Sequence, residues 1–315
     1  MKKFLKNLVI YSLPFLVFVL FFEIYLRQLN TSYSEKARGL IENRKKIELI
    51  IFGNSHEAYG INPNEFDVFA YNMAQVTQSL YFDKRIAIKY IDNIPNLKYA
   101  IIGLDFHSFY FSSQTKMRDL MSYYGYGIEY KDQIPFEAKL SRLNGYSRKV
   151  AMNLFTKDFS HKYDKIKAID VEEGVDLNKT MNKGWFCFKQ SKIDLLDTTN
   201  CKERATYFNN LGAKSVEKNE IISDFEDFII QLKKRKIKPI FVTIPCYSVY
   251  TKMLDKRILI ENKLIINSLC NKYKIKYFDY FNLGLSKDCY KNCDHLNYKG
   301  ATIFSKMLNS RISEK

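Results

Sequence analysis

A chain of 315 residues, 46% of them hydrophobic, holds enough apolar material for one large or two modest domains, which excludes a disordered tail. Lys and Arg number 50 against 34 Asp and Glu, and a formal net charge of +16 suits an anionic partner such as nucleic acid, lipid head groups or an acidic polymer. The charge is scattered, however, and of the two dense runs, "NRKKIE" and "QLKKRKIKP", the second reads as the solvated end of a helix, so nucleic-acid binding is not expected.

The amino terminus sets Lys2, Lys3 and Lys6 ahead of an almost continuous apolar run from Leu8 to Phe22. Ile24, Tyr25 and Leu26 extend the run past Glu23 towards the roughly 20 residues that a spanning helix needs. No small-residue processing site follows, so residues 1–29 are read as an uncleaved membrane anchor. The three lysines favour a cytoplasmic amino terminus, although Arg27, Lys36, Arg38 and the Arg44 to Lys46 cluster follow the span. A long domain translocates largely regardless of its charge, so the expected topology is a single-pass membrane protein with its C-terminal domain outside the cytoplasm.

Residues 30–46 read as a polar linker, partly helical, and residues 47–315 as one α/β domain. "IELIIF", "VFAYN", "YAIIGL", "KPIFVTIP" and "IKYFDYF" read as five strands. Between them, apolar residues recur at helical spacing: Ala87, Tyr90, Ile91 and Ile94; then Ile221, Phe225, Phe228, Ile229 and Leu232; then Ile258, Ile265 and Leu269. A last helix presents Ile303, Phe304, Met307 and Leu308 to the core. Strands alternating with helices predict a parallel five-stranded sheet covered on both faces, a three-layer α/β/α sandwich. At about 112–210 the alternation breaks into an aromatic, lysine-rich insertion with "MSYYGYGIEY" and the lone Trp185, which either pads a sheet edge or caps the carboxyl edge with substrate contacts.

Two loops bear chemistry. After the first strand, "GNSHEAYGINP" turns sharply onto Ser55, at the carboxyl end of a buried strand where open α/β sheets bind ligands. After the fifth, "NCDHLNYKGA" presents His295 just before the last helix. Both loops open on the same sheet edge, so a serine and a neutral imidazole separated widely in sequence can meet as nucleophile and base. Three of the four histidines, His56, His107 and His295, fall just past strand ends, whereas His161 lies in the insertion. His56 is not the expected base, because neighbours leaving a strand point apart, and His107 is expected to border the pocket. Taken alone, Ser55 has an ordinary reading as a turn residue, and Asp294 and His295 have one as a helix-capping acid and a surface histidine.

With "FGNSHEAYGINP" as a first block and "DHLNYKGA" as a last, the chain resembles the SGNH or GDSL-like hydrolase superfamily, over about Ile47 to Leu308 apart from the insertion. It most resembles the membrane-anchored bacterial branch that acylates and deacylates cell-envelope polysaccharides. The resemblance implies a flavodoxin-like fold, Ser55 as nucleophile, His295 as base and no cofactor. It also implies an acylated or acyl-accepting envelope glycan as substrate, with an acyl-donating membrane partner where the acyl group passes to a sugar. The departures are specific. Asn292 stands where the family's orienting aspartate is expected, three residues before the histidine, and Asp294 lies close in the chain to His295, so Asn292, Asp294 or neither (a Ser-His dyad) orients the base, and both are candidate catalytic residues with Ser55 and His295. The block "YNMAQVTQS" keeps Asn72 but has Thr77 where the oxyanion-hole glycine would fall. Asp105 stands in place of an oxyanion-hole asparagine, where a free carboxylate would repel the developing charge. These departures support the alternative of a catalytically weak scaffold that binds an envelope glycan through its basic, tyrosine-rich surface.

Six cysteines allow 15 pairings, of which the local pairs Cys187 with Cys201 and Cys289 with Cys293 are the expected ones; Cys246 and Cys270 read as free buried thiols. Cys289, Cys293 and His295 also have zinc-like spacing, but no second Cys or His pair completes a site, and no metal is expected.

Overall fold

The computed structural model describes residues 1–28, 30–112, 115–143, 168–169, 177–187, 196–213 and 217–313. His161 and much of the expected insertion lie outside the described residues. The chain divides into two compact units, one of residues 1–35 and 115–179 and the other of residues 36–114 and 180–315.

In the first unit, helix α1 (Lys2–Gln28) has a mean hydropathy of 2.2 along its most apolar stretch and is long and apolar enough to cross a membrane. Glu23, the charge that interrupts the apolar run, accepts hydrogen bonds from Arg27 Nε at 2.6 Å, Ser141 Oγ at 2.9 Å and the backbone N–H of Arg142 at 3.1 Å. A helix Lys116–Tyr126 carries most of "MSYYGYGIEY" and ends at Gly127, whose left-handed φ of 64° closes the last turn.

The stretch expected as a linker is instead largely a helix, α2 (Ser32–Asn43), with Lys36 and Leu40 fully buried. Burial of a lysine needs an acceptor, and Lys36 Nζ donates to the carbonyl of Ala74 while lying 4.5 Å from the Phe186 ring centroid.

The second unit is built on five parallel strands, β1 (Leu49–Phe52), β2 (Ala70–Asn72), β3 (Tyr99–Gly103), β4 (Lys238–Thr243) and β5 (Lys276–Asp279), in the order β2-β1-β3-β4-β5. This is the flavodoxin-like α/β arrangement, and β1 lies beside the point where strand order reverses. β1 is buried along its whole length because both faces of its Ile-rich run are covered. Helices α3 (Ser55–Gly60), α4 (Leu80–Tyr90), α5 (Thr198–Ala213), α6 (Lys218–Lys234), α7 (Lys256–Tyr273) and α8 (Tyr298–Ser313) complete the unit. The expected stripe of α6, Ile221 through Leu232, is buried against β4 and α4, each such side chain contributing about 2 kcal/mol of apolar burial. Two stripes differ in detail. In α7 Ile266 rather than Ile265 is buried, and in α8 Ile303 is 44% exposed because Ala301, Phe304, Ser305 and Leu308 form the inward face.

Part of the insertion belongs to this unit. Its hairpin, Met181–Asn182 paired with Trp185–Phe186, lies against β2 and α3: the Trp185 indole N–H donates to Tyr59 O at 2.7 Å, and the Asn72 N–H donates to Lys183 O at 2.9 Å. Gly184, with φ 77°, turns the hairpin so close to β2 that a Cβ there would stand 2.0 Å from Asn72 O. Neither local cysteine pair forms. Cys201 on α5 is bonded to Cys293 in the loop after β5, 92 residues away, and Cys289 is a free buried thiol. The same bond leaves Cys293 without a thiolate, which dissolves the zinc-like set with Cys289 and His295.

Candidate active site

The turn that delivers Ser55 is fixed by its own residues. Asn54 caps α3: its Oδ1 accepts the His56 N–H at 2.9 Å, and its backbone N–H donates to Glu57 Oε2 at 2.9 Å, a capping box that leaves Ser55 as the first helical residue. Glu57 is fully buried in a notch between Gly53 and Gly103, where a Cβ on either glycine would fall 2.2 Å or less from its carboxyl group. Burial and then the neighbouring Asp105 hold the Glu57 carboxyl well above the usual carboxylate range.

The loop after β5 is tied as firmly. Its Lys291 N–H donates to His295 O at 2.8 Å, Asn297 N–H to Cys289 O at 3.0 Å, and Tyr247 N–H from beyond β4 to Cys293 O at 3.0 Å. These bonds bring His295 Nε2 to 2.7 Å from Ser55 Oγ. On the other side of the ring, Nδ1 lies 2.9 Å from Asn292 Oδ1 and 3.1 Å from Asp294 Oδ1. The Asn292 acceptor at Nδ1, with the Asp294 carboxylate beside it as an ion-pair contact, places the proton there, which leaves the Nε2 lone pair free to accept from the Ser55 hydroxyl. Burial pushes the His295 pKa down to about 4 against the upward pull of Asp294, so the ring is neutral at pH 7.

The carboxylate beside His295 is therefore Asp294. Asn292 Oδ1 also accepts the His295 N–H at 3.0 Å, closing a tight turn across Asp294. Asp294 is fully buried and meets Arg204 Nε of α5 at 2.7 Å and His56 Nε2 at 3.6 Å. Burial would raise its pKa, but His295 and Arg204 hold it well below the usual range.

Asp105 does not stand bare where an oxyanion would form. His56 Nδ1 lies 2.7 Å from its Oδ1, and Asn54 Nδ2 donates to its Oδ2 at 2.5 Å. Burial alone would lower the His56 pKa, but Asp105 and then Asp294 raise it to about 10, so His56 is an imidazolium between two carboxylates. His56, Asp294 and His295 have ligand atoms that lie within 4.8 Å of one another.

The remaining expected residues have other places. The Asn72 side chain is spent on structure, its Nδ2 donating to Glu57 O at 2.8 Å and Ile61 O at 3.0 Å and its Oδ1 accepting from Ala74 N–H at 3.0 Å, so it is not an oxyanion donor. Thr77 adopts a left-handed φ of 57°, the conformation that favours glycine, at the position where the resembled family would have one. His107 is packed among aromatic rings, 4.4 Å from the Phe208 centroid and 5.5 Å from that of Phe111, and burial pushes its pKa down to about 3. It backs the site as a neutral ring. The residues missed from sequence are Arg204 and the charged state of His56. Cys201 was the one available signal for Arg204, since it stands one helical turn away. Beside Asn292 and Asp294 a cleft of about 310 Å³ opens, lined also by Asn200, Glu203, Arg204 and Tyr207.

No family model matches the chain, and no curated protein does. Among solved structures it is similar to one from Bacteroides fragilis NCTC 9343, provisionally named an acylhydrolase, at 10% identity over 88% of this chain and 95% of that one, with a TM-score of 0.41. It is also similar to a GDSL-like lipase from Bacteroides thetaiotaomicron VPI-5482, at 11% identity over 90% and 98% of the two chains, with a TM-score of 0.40.

Proposed function

We propose that the chain is a serine-dependent O-acyl esterase or O-acyltransferase acting on a cell-envelope glycan. One observation carries the reaction class: Ser55 Oγ lies 2.7 Å from the neutral Nε2 of His295, whose Nδ1 is held by Asn292 and Asp294. Ser55 attacks the ester carbonyl as Nε2 takes its proton. The imidazolium, facing the Asp294 carboxylate, then gives that proton to the leaving sugar oxygen, and the acyl-serine is resolved by water or by a second hydroxyl. The backbone N–H of Ser55 and the Thr77 turn hold the oxyanion. Asp105 no longer argues against such a hole, because His56 and Asn54 neutralise it.

The envelope setting is supported by the apolar helix α1, by the net charge of +16, which favours an anionic surface, and by the disulfide, which suits an oxidising compartment. In this reading α1 anchors the chain and the second unit works outside the cytoplasm. The test uses p-nitrophenyl acetate turnover and fluorophosphonate labelling of the full chain. Ser55→Ala and His295→Ala should each reduce turnover by at least ~10³-fold, and the double variant should be little worse, because the pair acts as a unit. Full turnover in Ser55→Ala would overturn the proposal.

A further inference from the structure

Asp294 is an awkward partner for His295. The two are consecutive in the chain, so nothing in the backbone alone favours the rotamer that places Oδ1 on Nδ1. The other oxygen, Oδ2, faces the His56 imidazolium at 3.6 Å. What grips that oxygen from outside is Arg204, whose Nε lies 2.7 Å from Asp294 Oδ2. The guanidinium is itself held, its central carbon 4.8 Å from the Phe208 ring centroid, one turn further along α5.

The covalent framework repeats this pairing one step away. Cys201 precedes Arg204 by three residues and so shares its face of α5, while Cys293 immediately precedes Asp294. The helix and the loop are thus joined twice at adjacent positions, by the bond from Cys201 to Cys293 and by the ion pair from Arg204 to Asp294. Arg204 retains 39% exposure of its side chain, so the guanidinium has water to return to once the helix is released.

Resting on the Ser55 and His295 reading, we propose that Arg204 is a positioning residue. It holds Asp294 Oδ2 so that Oδ1 stays on His295 Nδ1, and the Cys201 to Cys293 bond keeps α5 close enough for that grip. α5 is in this view part of the catalytic framework.

The test compares Arg204→Ala, Arg204→Lys and Asp294→Asn in the full chain, with kcat and KM for p-nitrophenyl acetate and the proton NMR signal of His295 Nδ1–H as readouts. Arg204→Ala should lower kcat by roughly tenfold, about 1.4 kcal/mol, with KM little changed. The Nδ1 proton, hydrogen-bonded to Asn292 and moved downfield by the carboxylate beside it, should shift upfield as that carboxylate moves away. Lys at 204 should restore most of both. Arg204→Ala combined with Asp294→Asn should be little worse than Asp294→Asn alone, because the first acts through the second. Reduction of the disulfide should weaken the same signal, reversibly on reoxidation, and this readout stands even if a variant folds poorly. Wild-type kcat in Arg204→Ala would overturn the inference. So would a loss fully additive with Asp294→Asn, or a loss with the Nδ1 proton unmoved. An unlabelled Ser55 and no turnover in the wild type would instead overturn the esterase reading, while the Nδ1 signal would still test the grip on Asp294.

Discussion

Replacing Asp294 by asparagine changes one charge at nearly constant shape and removes the only carboxylate within hydrogen-bond reach of His295 among the described residues. Its Oδ1 lies 3.1 Å from Nδ1, and at an effective dielectric near 20 a carboxylate at such a distance stabilises an imidazolium by about 5 kcal/mol. Two features reduce the loss. Arg204 already engages the other oxygen at 2.7 Å, and Asn292 Oδ1 still accepts from Nδ1 and keeps the tautomer. A net loss of about 3 kcal/mol, or roughly 10²-fold in kcat/KM, is therefore expected, less than the ~10⁴-fold known where asparagine also imposes the wrong tautomer. The pH profile supplies the sign. On the proposed reading, activity needs neutral His295, whose pKa lies at about 4 with Asp294 pulling it upward. Loss of that pull should move the acid limb of kcat/KM to still lower pH. Steady-state turnover of p-nitrophenyl acetate between pH 3.5 and 8 reads both effects. Undiminished kcat/KM in Asp294→Asn, with a large loss in Asn292→Ala, would refute the assignment and make Asn292 the residue that orients the base.

Two further predictions concern the supporting groups. The His56 pKa is raised to about 10 from an ordinary 6.5, so its ion pairs stabilise the fold fully below about pH 6.5 and lose that contribution as pH rises through about 10. Thermal melts should show the wild type losing stability over that window and His56→Gln, less stable at neutral pH, losing much less; parallel curves would contradict the charged state of His56. Asn72→Ala should destabilise the chain by about 3 kcal/mol, because three buried backbone groups lose their partner, and denaturant titration checks this; a stable variant with only an activity loss would return Asn72 to the oxyanion hole.

Ser55 and His295 were legible because strand periodicity places both at the same sheet edge, whatever the distance between them in the chain. Sequence leaves Asn292 and Asp294 both as candidates for orienting His295, because adjacency in the chain counts against Asp294 without excluding it; the structure brings Asn292 Oδ1 to 2.9 Å and Asp294 Oδ1 to 3.1 Å from Nδ1. The resemblance places Asn72 at the oxyanion hole by its block alone, and sequence does not say that its amide is taken up by the carbonyls of Glu57 and Ile61. The cysteine pairing failed for a related reason. Short loops made the local pairs attractive, but α5 and the loop after β5 meet through tertiary packing that no spacing rule records. The polar, partly helical linker expected at 30–46 contains helix α2, and what its polarity hides is the burial of Lys36 on a backbone acceptor.

The notch that holds Glu57 also constrains how this sequence can drift. A methyl group at Gly103 would stand 1.9 Å from the Glu57 carboxyl carbon, and one at Gly53 would stand 2.2 Å from its Oε2, on a backbone with φ 141°. A side chain at either glycine would force the Glu57 carboxyl to move, and a shorter residue at 57 would empty the notch and remove the acceptor of the Asn54 N–H. The three positions therefore form one heritable unit. Chains descended from this one should keep all three residues or replace them together, and a lone substitution at any of them should mark a copy whose serine turn has already lost its shape.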